Sequence, residues 1–316
     1  MILTVTLNPS LDRTIEVAEL TRGAVIRAGA AHLDPGGKGV NVSRALLANH
    51  VPSCAVIPYG GDEGRRLIEL LSAEGLDMIM IPVAGATRSN ITLAEPDGTV
   101  TKINEPGTPL TAAELDTLAN AVLDAAGSAD WVVASGSLPP GVPADIYARL
   151  CRRFAEAGIN MAVDTSGPAL VAALAAGPAL VKPNREELAM AAGVPVTTLG
   201  DAIDAARKLR AMGARTVLAS LGADGAVLVE GEAEEQVWYG TSAVAEPRST
   251  VGAGDAMLAG FLAAGARGQE ALAEALAWAG AAVAQPGSRM PGPRDIDRES
   301  VRCLPPDPNR PLRSGG

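Results

Sequence analysis

From about residue 110 onward, short apolar runs alternate with longer amphipathic stretches. "WVVAS" (131–135), "NMAVD" (160–164), "ALVKPN" (179–184) and "TVLAS" (216–220) are strand-like, while alanine-rich segments between them, one around 143–157, repeat their apolar positions at helical spacing. That rhythm predicts βαβ units, hence an α/β fold on a mainly parallel sheet. Each run ends in a polar turn: "ASGSLPPG", "VDTSG", "VKPNREE" and "ASLGADG". Ligands of open α/β sheets bind beyond the carboxyl ends of the strands, so the four endings predict one cleft.

The first third has a different pattern. "DRTIEVAEL", "AVIRAGAAHLD", "RSNITLAEPDG" and "TVTKINEPG" read as exposed strands and hairpins interrupting the first βα units. They predict a small β lid, from about 12–34 and 88–106. "EPDG" (95–98) is its turn signal. A three-residue loop there would put Arg88, Asn90, Lys102 and Asn104 on one face, whereas a two-residue loop would split the arginine from the lysine. The pattern fits either. After a single domain over 1–304, the stretch "PPDPNRPLRSGG" (305–316) is Pro-rich and polar and predicts a disordered tail.

Composition narrows the chemistry. A chain of 316 residues that is 47% hydrophobic can bury a large core, and a net charge of −10 offers no basic footprint for nucleic acid or an anionic membrane. The start "MILTVTLNPSLDRT" lacks a basic leader and no run is long enough to span a bilayer, so a cytoplasmic protein is expected. Cys54, Cys151 and Cys303 are odd in number and far apart, which argues against a disulfide framework or a zinc site. Only His32 and His50 are present, neither beside an evident nucleophile, so proton transfer falls to a carboxylate. Of the four lysines, Lys38, Lys102 and Lys182 stand among Gly, Pro or Asn, whereas Lys208 sits in a helical run.

Four motifs could carry that chemistry, and each has a plainer reading. In "STVGAGDAMLAGFL", Gly252, Ala253 and Gly254 precede an apolar helix whose first amides suit an anion, with Asp255 placed as a base. Asp255 could equally be a helix cap. "DPGGKGVNVSRAL" brings Lys38 and Asn41 out of a glycine turn to a polar ligand, with neither Walker A nor dinucleotide-fold spacing, or is simply a glycine turn with a solvated lysine. In "KPNREEL", Asn184 and Glu187 lie three apart on a first helical turn, as oxygen donors for Mg²⁺ or as dipole complementation. In "SLGADGA", Ser220, Gly222 and Gly225 permit close approach of a nucleotide or form a strand connection.

In this order and at these separations the motifs resemble the PfkB family of carbohydrate kinases, over nearly the whole chain. "DPGGKGVNVSRAL" is similar to that family's first signature and "STVGAGDAMLAGFL" to its second. "TLNPSLDRT", "TRSNITL", "KINEPG" and "SGSLPPG" are similar to its phosphosugar branch, whose members act on fructose 1-phosphate, tagatose 6-phosphate or fructose 6-phosphate, and "NEPG" points to the first. The resemblance implies a ribokinase-like three-layer sandwich with a small β-sheet lid, and since so few lid strands cannot bury Ile91, Leu93 and Ile103 alone, two lids are expected to pack together in a homodimer. It also implies ATP and Mg²⁺, with room for a monovalent cation such as K⁺. Asp255 would be the catalytic base and the Gly252, Ala253 and Gly254 amides the anion hole. Asp12, Gly37, Asn41 and Ser137 would hold sugar hydroxyls, while Lys38, Arg88 and Lys102 would face the phosphate already on the sugar. Asn184 and Glu187 would organise Mg²⁺ through water, and Lys182, Asn184, Ser220, Gly222 and Gly225 would line the ATP site. Members acting on fructose 6-phosphate bring a lid lysine where this chain has Val25, a departure that counts against that sugar.

Overall fold

The computed structural model describes residues 1–97, 99–127, 129–231 and 233–313. Its elements in chain order are β1 (Ile2–Val5), β2 (Ser10–Glu16), β3 (Ala31–Gly36), α1 (Lys38–Ala48), β4 (Ser53–Tyr59), α2 (Gly61–Glu74), β5 (Met78–Pro82), β6 (Arg88–Ala94) and β7 (Val100–Asn104). There follow α3 (Ala112–Ala126), β8 (Trp131–Ser135), α4 (Ile146–Glu156), β9 (Asn160–Asp164), α5 (Gly167–Leu174), β10 (Leu180–Val181), α6 (Arg185–Ala192), α7 (Leu199–Ala211) and β11 (Thr216–Ser220). A 3₁₀ turn (Gly222–Asp224) then leads into β12 (Ala226–Glu230), β13 (Gln236–Ser242), α8 (Ala253–Ala263), α9 (Gly268–Val283) and β14 (Val301–Leu304).

The large sheet runs β14-β13-β12-β11-β10-β9-β8-β1-β4-β5. From β11 to β5 every pairing is parallel, and β12, β13 and β14 add an antiparallel edge. Parallel strands covered on both faces must be apolar on both, and the pleat then sorts neighbours into opposite layers. Leu3, Val5, Val132, Met161, Val181 and Val217 pack under the helices α3 to α7. Ile2, Val133, Ala162, Leu180 and Leu218 pack under α1, α8 and α9. This is the three-layer sandwich that the sequence predicted.

Helix α8 is apolar all round and is buried from Asp255 to Leu262, so it sits inside a layer rather than on its surface. Gly260 lets it approach α9 closely: a Cβ there would lie 2.8 Å from Trp278 Cγ. Truncating its fully buried Phe261 to alanine would cost about 3–5 kcal/mol, and the helix that carries Asp255 would lose its seat.

A second sheet of order β3-β2-β6-β7 forms the lid. The pairs Asn90↔Asn104 and Thr92↔Lys102 put Arg88, Asn90, Lys102 and Asn104 on one face, with Asp12 beside Asn90 on β2. Glu95 N–H donates to Thr99 O at 3.0 Å, which is the three-residue-loop register. Gly98 of the turn signal lies outside the described residues.

The tail departs from expectation. Residues 305–313 are docked: Leu312 is 7% exposed and its N–H donates to Thr197 O at 2.8 Å, while Arg310 O accepts from Leu199 N at 2.9 Å. Proline and polar composition argued for disorder, but one buried leucine and backbone bonds to α7 hold the segment. Residues 314–316 lie outside the described part.

Candidate active site

Parallel pairing sets the ends of β8, β9, β10 and β11 side by side, and Lys182, just after β10, reaches the start of α8. At that start Gly252 is the N-cap with φ +77°, a conformation that favours glycine. Met290 Cε would lie 2.8 Å from any Cβ there. No side chain caps the helix, so the cap reading of Asp255 does not hold. Ala253 N–H reaches Thr250 O only at 3.4 Å, and the first turn keeps its positive end toward the cleft.

Asp255 is buried in that first turn, and Asn41 Nδ2, from the buried side of α1, donates to its Oδ2 at 2.8 Å. Asn41 Oδ1 is buried with no hydrogen-bond partner among the described residues. Burial above all, then the negative charge of Asp164, pushes the Asp255 carboxyl up to about 6, against the pull of Lys38, Asn41 and Lys182. A carboxylate tuned there can take a proton near neutral pH.

Asp164, at the end of β9, went unnoticed in the sequence beyond its place in a turn. It is fully buried and binds two cations: Lys38 Nζ at 2.7 Å from Oδ1 and Lys182 Nζ at 3.1 Å from Oδ2. Burial works against its ionisation, but Lys182 and Lys38 outweigh it and hold Asp164 below the usual carboxylate range. Burial likewise opposes the charge on Lys38, and Asp164 with Glu187 overcomes it. Lys182 Nζ also approaches Gly254, standing 3.2 Å from where a Cβ would be. Two lysines are thereby fixed at the mouth of α8 by one acid.

This geometry changes the expectation for Lys38. The resemblance groups it with Arg88 and Lys102 at the sugar's phosphate, yet its ammonium is paired with Asp164 and, at 3.6 Å, with Glu187. It lies with Asp164, Lys182 and Glu187 rather than with the lid cluster.

Asn184 and Glu187 form a capping box at the start of α6: Asn184 Oδ1 accepts from Glu187 N at 2.8 Å and Glu187 Oε2 accepts from Asn184 N at 2.9 Å. Ser220 bridges to Asn184, bringing the β11 end against α6. Gly222 and Gly225 have φ of +62° and +91°, and a Cβ on Gly225 would meet Gly240 O at 2.0 Å. The turn between them also connects β11 to β12, as its plainer reading had it.

The lid half is a separate cluster. Asp12 accepts from Ser10 Oγ at 2.7 Å and Asn90 Nδ2 at 2.9 Å. Gly36 and Gly37 bring the lid into α1 without side chains, for a Cβ would lie 2.3 Å from Asp12 Oδ2 at the first and 2.8 Å from Thr6 Cγ2 at the second. Arg88 donates from Nε and Nη2 to Asn8 O at 3.3 and 3.0 Å, and from Nη1 to Glu105 O at 3.1 Å. Asn8 Nδ2 donates to Pro106 O at 3.1 Å and Ser137 Oγ at 3.2 Å. "TLNPS", "NEPG" and "SGSLPPG" thus interlock around the arginine through Asn8, which sequence reasoning had quoted without giving it a role. Lys102 stands exposed on the same lid face.

The chain is similar to proteins of known activity over most of its length. The chain is 40% identical over 316 residues to a 1-phosphofructokinase of Rhodobacter capsulatus, covering 96% of this chain and 98% of that protein. It is 37% identical over 269 residues to an ATP-dependent 6-phosphofructokinase isozyme 2 of Mycobacterium tuberculosis, covering 84% and 78%. The solved phosphofructokinase-2 of Escherichia coli in complex with substrates and products superposes with a TM-score of 0.87 at 33% identity, covering 93% of this chain and 96% of that one. The family model for pfkB family carbohydrate kinases matches residues 5–294, and the chain belongs to that family of ATP-dependent phosphotransferases.

Proposed function

We propose that the protein transfers the γ-phosphoryl group of ATP to the 6-hydroxyl of fructose 1-phosphate, giving fructose 1,6-bisphosphate and ADP. The observation that carries the chemistry is Asp255: a buried carboxylate raised to about 6, oriented by Asn41 at an uncapped helix start. Its free oxygen takes the hydroxyl proton as the hydroxyl oxygen attacks phosphorus, and charge growing on the phosphoryl oxygens faces the Gly252, Ala253 and Gly254 amides and Lys182. Asp12, Gly37, Asn41 and Ser137 hold the sugar, and Asn41 Oδ1, without a partner among the described residues, suits a hydroxyl donor. Lys182, Asn184, Ser220, Gly222 and Gly225 receive the nucleotide.

The oxygens of Asn184 and Glu187 fit Mg²⁺ held through water, because the capping box already engages Asn184 Oδ1 and Glu187 Oε2. When bound, the ion would neutralise phosphate charge. Dependence on K⁺ belongs to the same proposal, a potassium complex of the Escherichia coli protein being among the solved neighbours.

The sugar's own phosphate falls to Arg88 and Lys102, with Lys38 on the transfer side. Three of the five Arg88 donors are spent on carbonyl oxygens, which holds the guanidinium still and leaves its remaining N–H groups for an anion. Release of ADP measured with fructose 1-phosphate, fructose 6-phosphate, tagatose 6-phosphate and plain fructose tests the assignment. Fructose 1-phosphate should give the highest kcat/KM, and preference for a 6-phosphate would transfer the reading to the relatives' 6-phosphofructokinase activity.

The lid's other face carries Ile91, Leu93 and Ile103, with Ile103 55% exposed. Two such faces covering each other make the homodimer part of this proposal. One solved neighbour is described as a tetrameric inhibited form, so the lid pair is the minimal unit rather than a ceiling.

A further inference from the structure

The docked tail ends at the nucleotide half of the cleft. Pro308 O accepts from Gly200 N at 2.9 Å, and a Cβ on Gly200 would lie 2.8 Å from that oxygen, so the tail lies tight across the start of α7. Beyond the buried Leu312, Arg313 N–H donates to Asp224 Oδ2 at 2.7 Å, with Arg313 Nε 3.6 Å from Oδ1. Arg185, the residue after Asn184 and the first of α6, donates from Nη1 to Arg313 O. One short segment therefore touches both walls of the site: the Gly222–Asp224 turn and the start of α6.

Asp224 needs that contact. It is 3% exposed, and a buried carboxylate without donors is costly. Its own backbone is spent locally, the carbonyl accepting from Tyr239 Oη at 2.9 Å and the N–H reaching Leu221 O at 3.2 Å. The turn is closed on itself by Leu221 N–H to Gly225 O at 2.8 Å, and its first end is tied to the start of α6 by Ser220 N–H to Pro183 O at 3.0 Å, which leaves the Asp224 end to be held from elsewhere. The tail supplies that second tie: Arg313 N–H holds Asp224 on one side, and its carbonyl accepts from Arg185 on the other. Arg310, stacked 5.4 Å above the Tyr239 ring, braces the same corner.

We propose that the C-terminal segment is a positioning element of the nucleotide site, in which the Arg313 N–H bond to Asp224 presets the Gly222–Gly225 turn against α6. This rests on the reading of that turn as the place where ATP binds.

Two variants remove the donor while keeping Leu312 and the bonds to α7: Arg313→Pro, and a chain ending at Leu312. Each should raise the KM for ATP by about three- to tenfold, with kcat and the KM for the sugar phosphate changed by less than about twofold. Arg313→Ala keeps the N–H and loses only the 3.6 Å contact of a guanidinium that is itself 74% exposed, so it should match the wild type. A KM for ATP that stays at the wild-type value in both donor-less variants, or one that rises equally for sugar and nucleotide, overturns the proposal. Hydrogen exchange of the wild type with and without ADP separates this from the site assignment itself. If ADP does not protect the Leu221–Gly225 amides, the nucleotide reading of the turn fails, whereas protection with unaltered kinetics in the variants removes only the tail's role.

Discussion

Replacing Asp255 by asparagine should separate catalysis from stability. Burial first, then Asp164, raises this carboxyl from 3.8 to about 6. At ~1.4 kcal/mol per unit, the ionised folded form is penalised by roughly 3 kcal/mol relative to the unfolded chain. The folded value is the higher one, so the folded protein holds the proton more tightly. The penalty is therefore absent below pH 3.8, grows as the pH rises toward 6, and is fully present above that. Asparagine has nearly the same volume and its amide oxygen can keep the Asn41 bond, but it carries no charge to bury. The variant should be more stable than wild type at pH 8 by up to ~3 kcal/mol, about 4–5 °C in Tm for a chain of this length. The gain should fall below ~1 kcal/mol by pH 4. Meanwhile kcat should drop by a factor on the order of 10² to 10⁴. Thermal melts of both proteins from pH 4 to 8, with kcat at neutral pH, make the measurement. A variant less stable at pH 8, or a gain that does not change with pH, would show that the neighbouring cations outweigh burial, and near wild-type kcat would remove Asp255 from the mechanism.

Arg88→Ala should lose about 2–4 kcal/mol in kcat/KM with fructose 1-phosphate and little with plain fructose, since the latter never makes that contact; equal losses for the two sugars would falsify the assignment. Asp164→Asn leaves Lys182, only 4% exposed, without its anion and should destabilise the fold by about 3–5 kcal/mol. Because it also removes the like charge beside Asp255, the acid limb of kcat/KM should move to lower pH, and an upward move would show that Asp164 does not raise the Asp255 carboxyl. For the lid, sedimentation at micromolar concentration should find at least a dimer, with Ile103→Glu shifting it toward monomer; a wild type that is monomeric throughout would refute the lid-to-lid interface.

What could be read from the sequence was what local spacing determines, and the misses share a cause. The strands from Trp131 to Ser220 and the turns behind them were legible because apolar runs and glycines act over a few residues. Asp164 was not, since its role arises from Lys38, 126 residues away, meeting Lys182 at one carboxylate. The tail misled because composition counts prolines as disorder, whereas prolines just before an apolar residue also lower the entropy lost on docking, as Pro308 and Pro311 precede the buried Leu312 of the core. "KPNREEL" shows a further limit, in that the two readings weighed against each other were never exclusive. Glu187 closes the helix cap with Oε2 and turns Oε1 toward Lys38, 3.6 Å away. A cap that locks the side chain also aims its second oxygen, so the bond that satisfies the helix is the one that turns Glu187 toward the lysine.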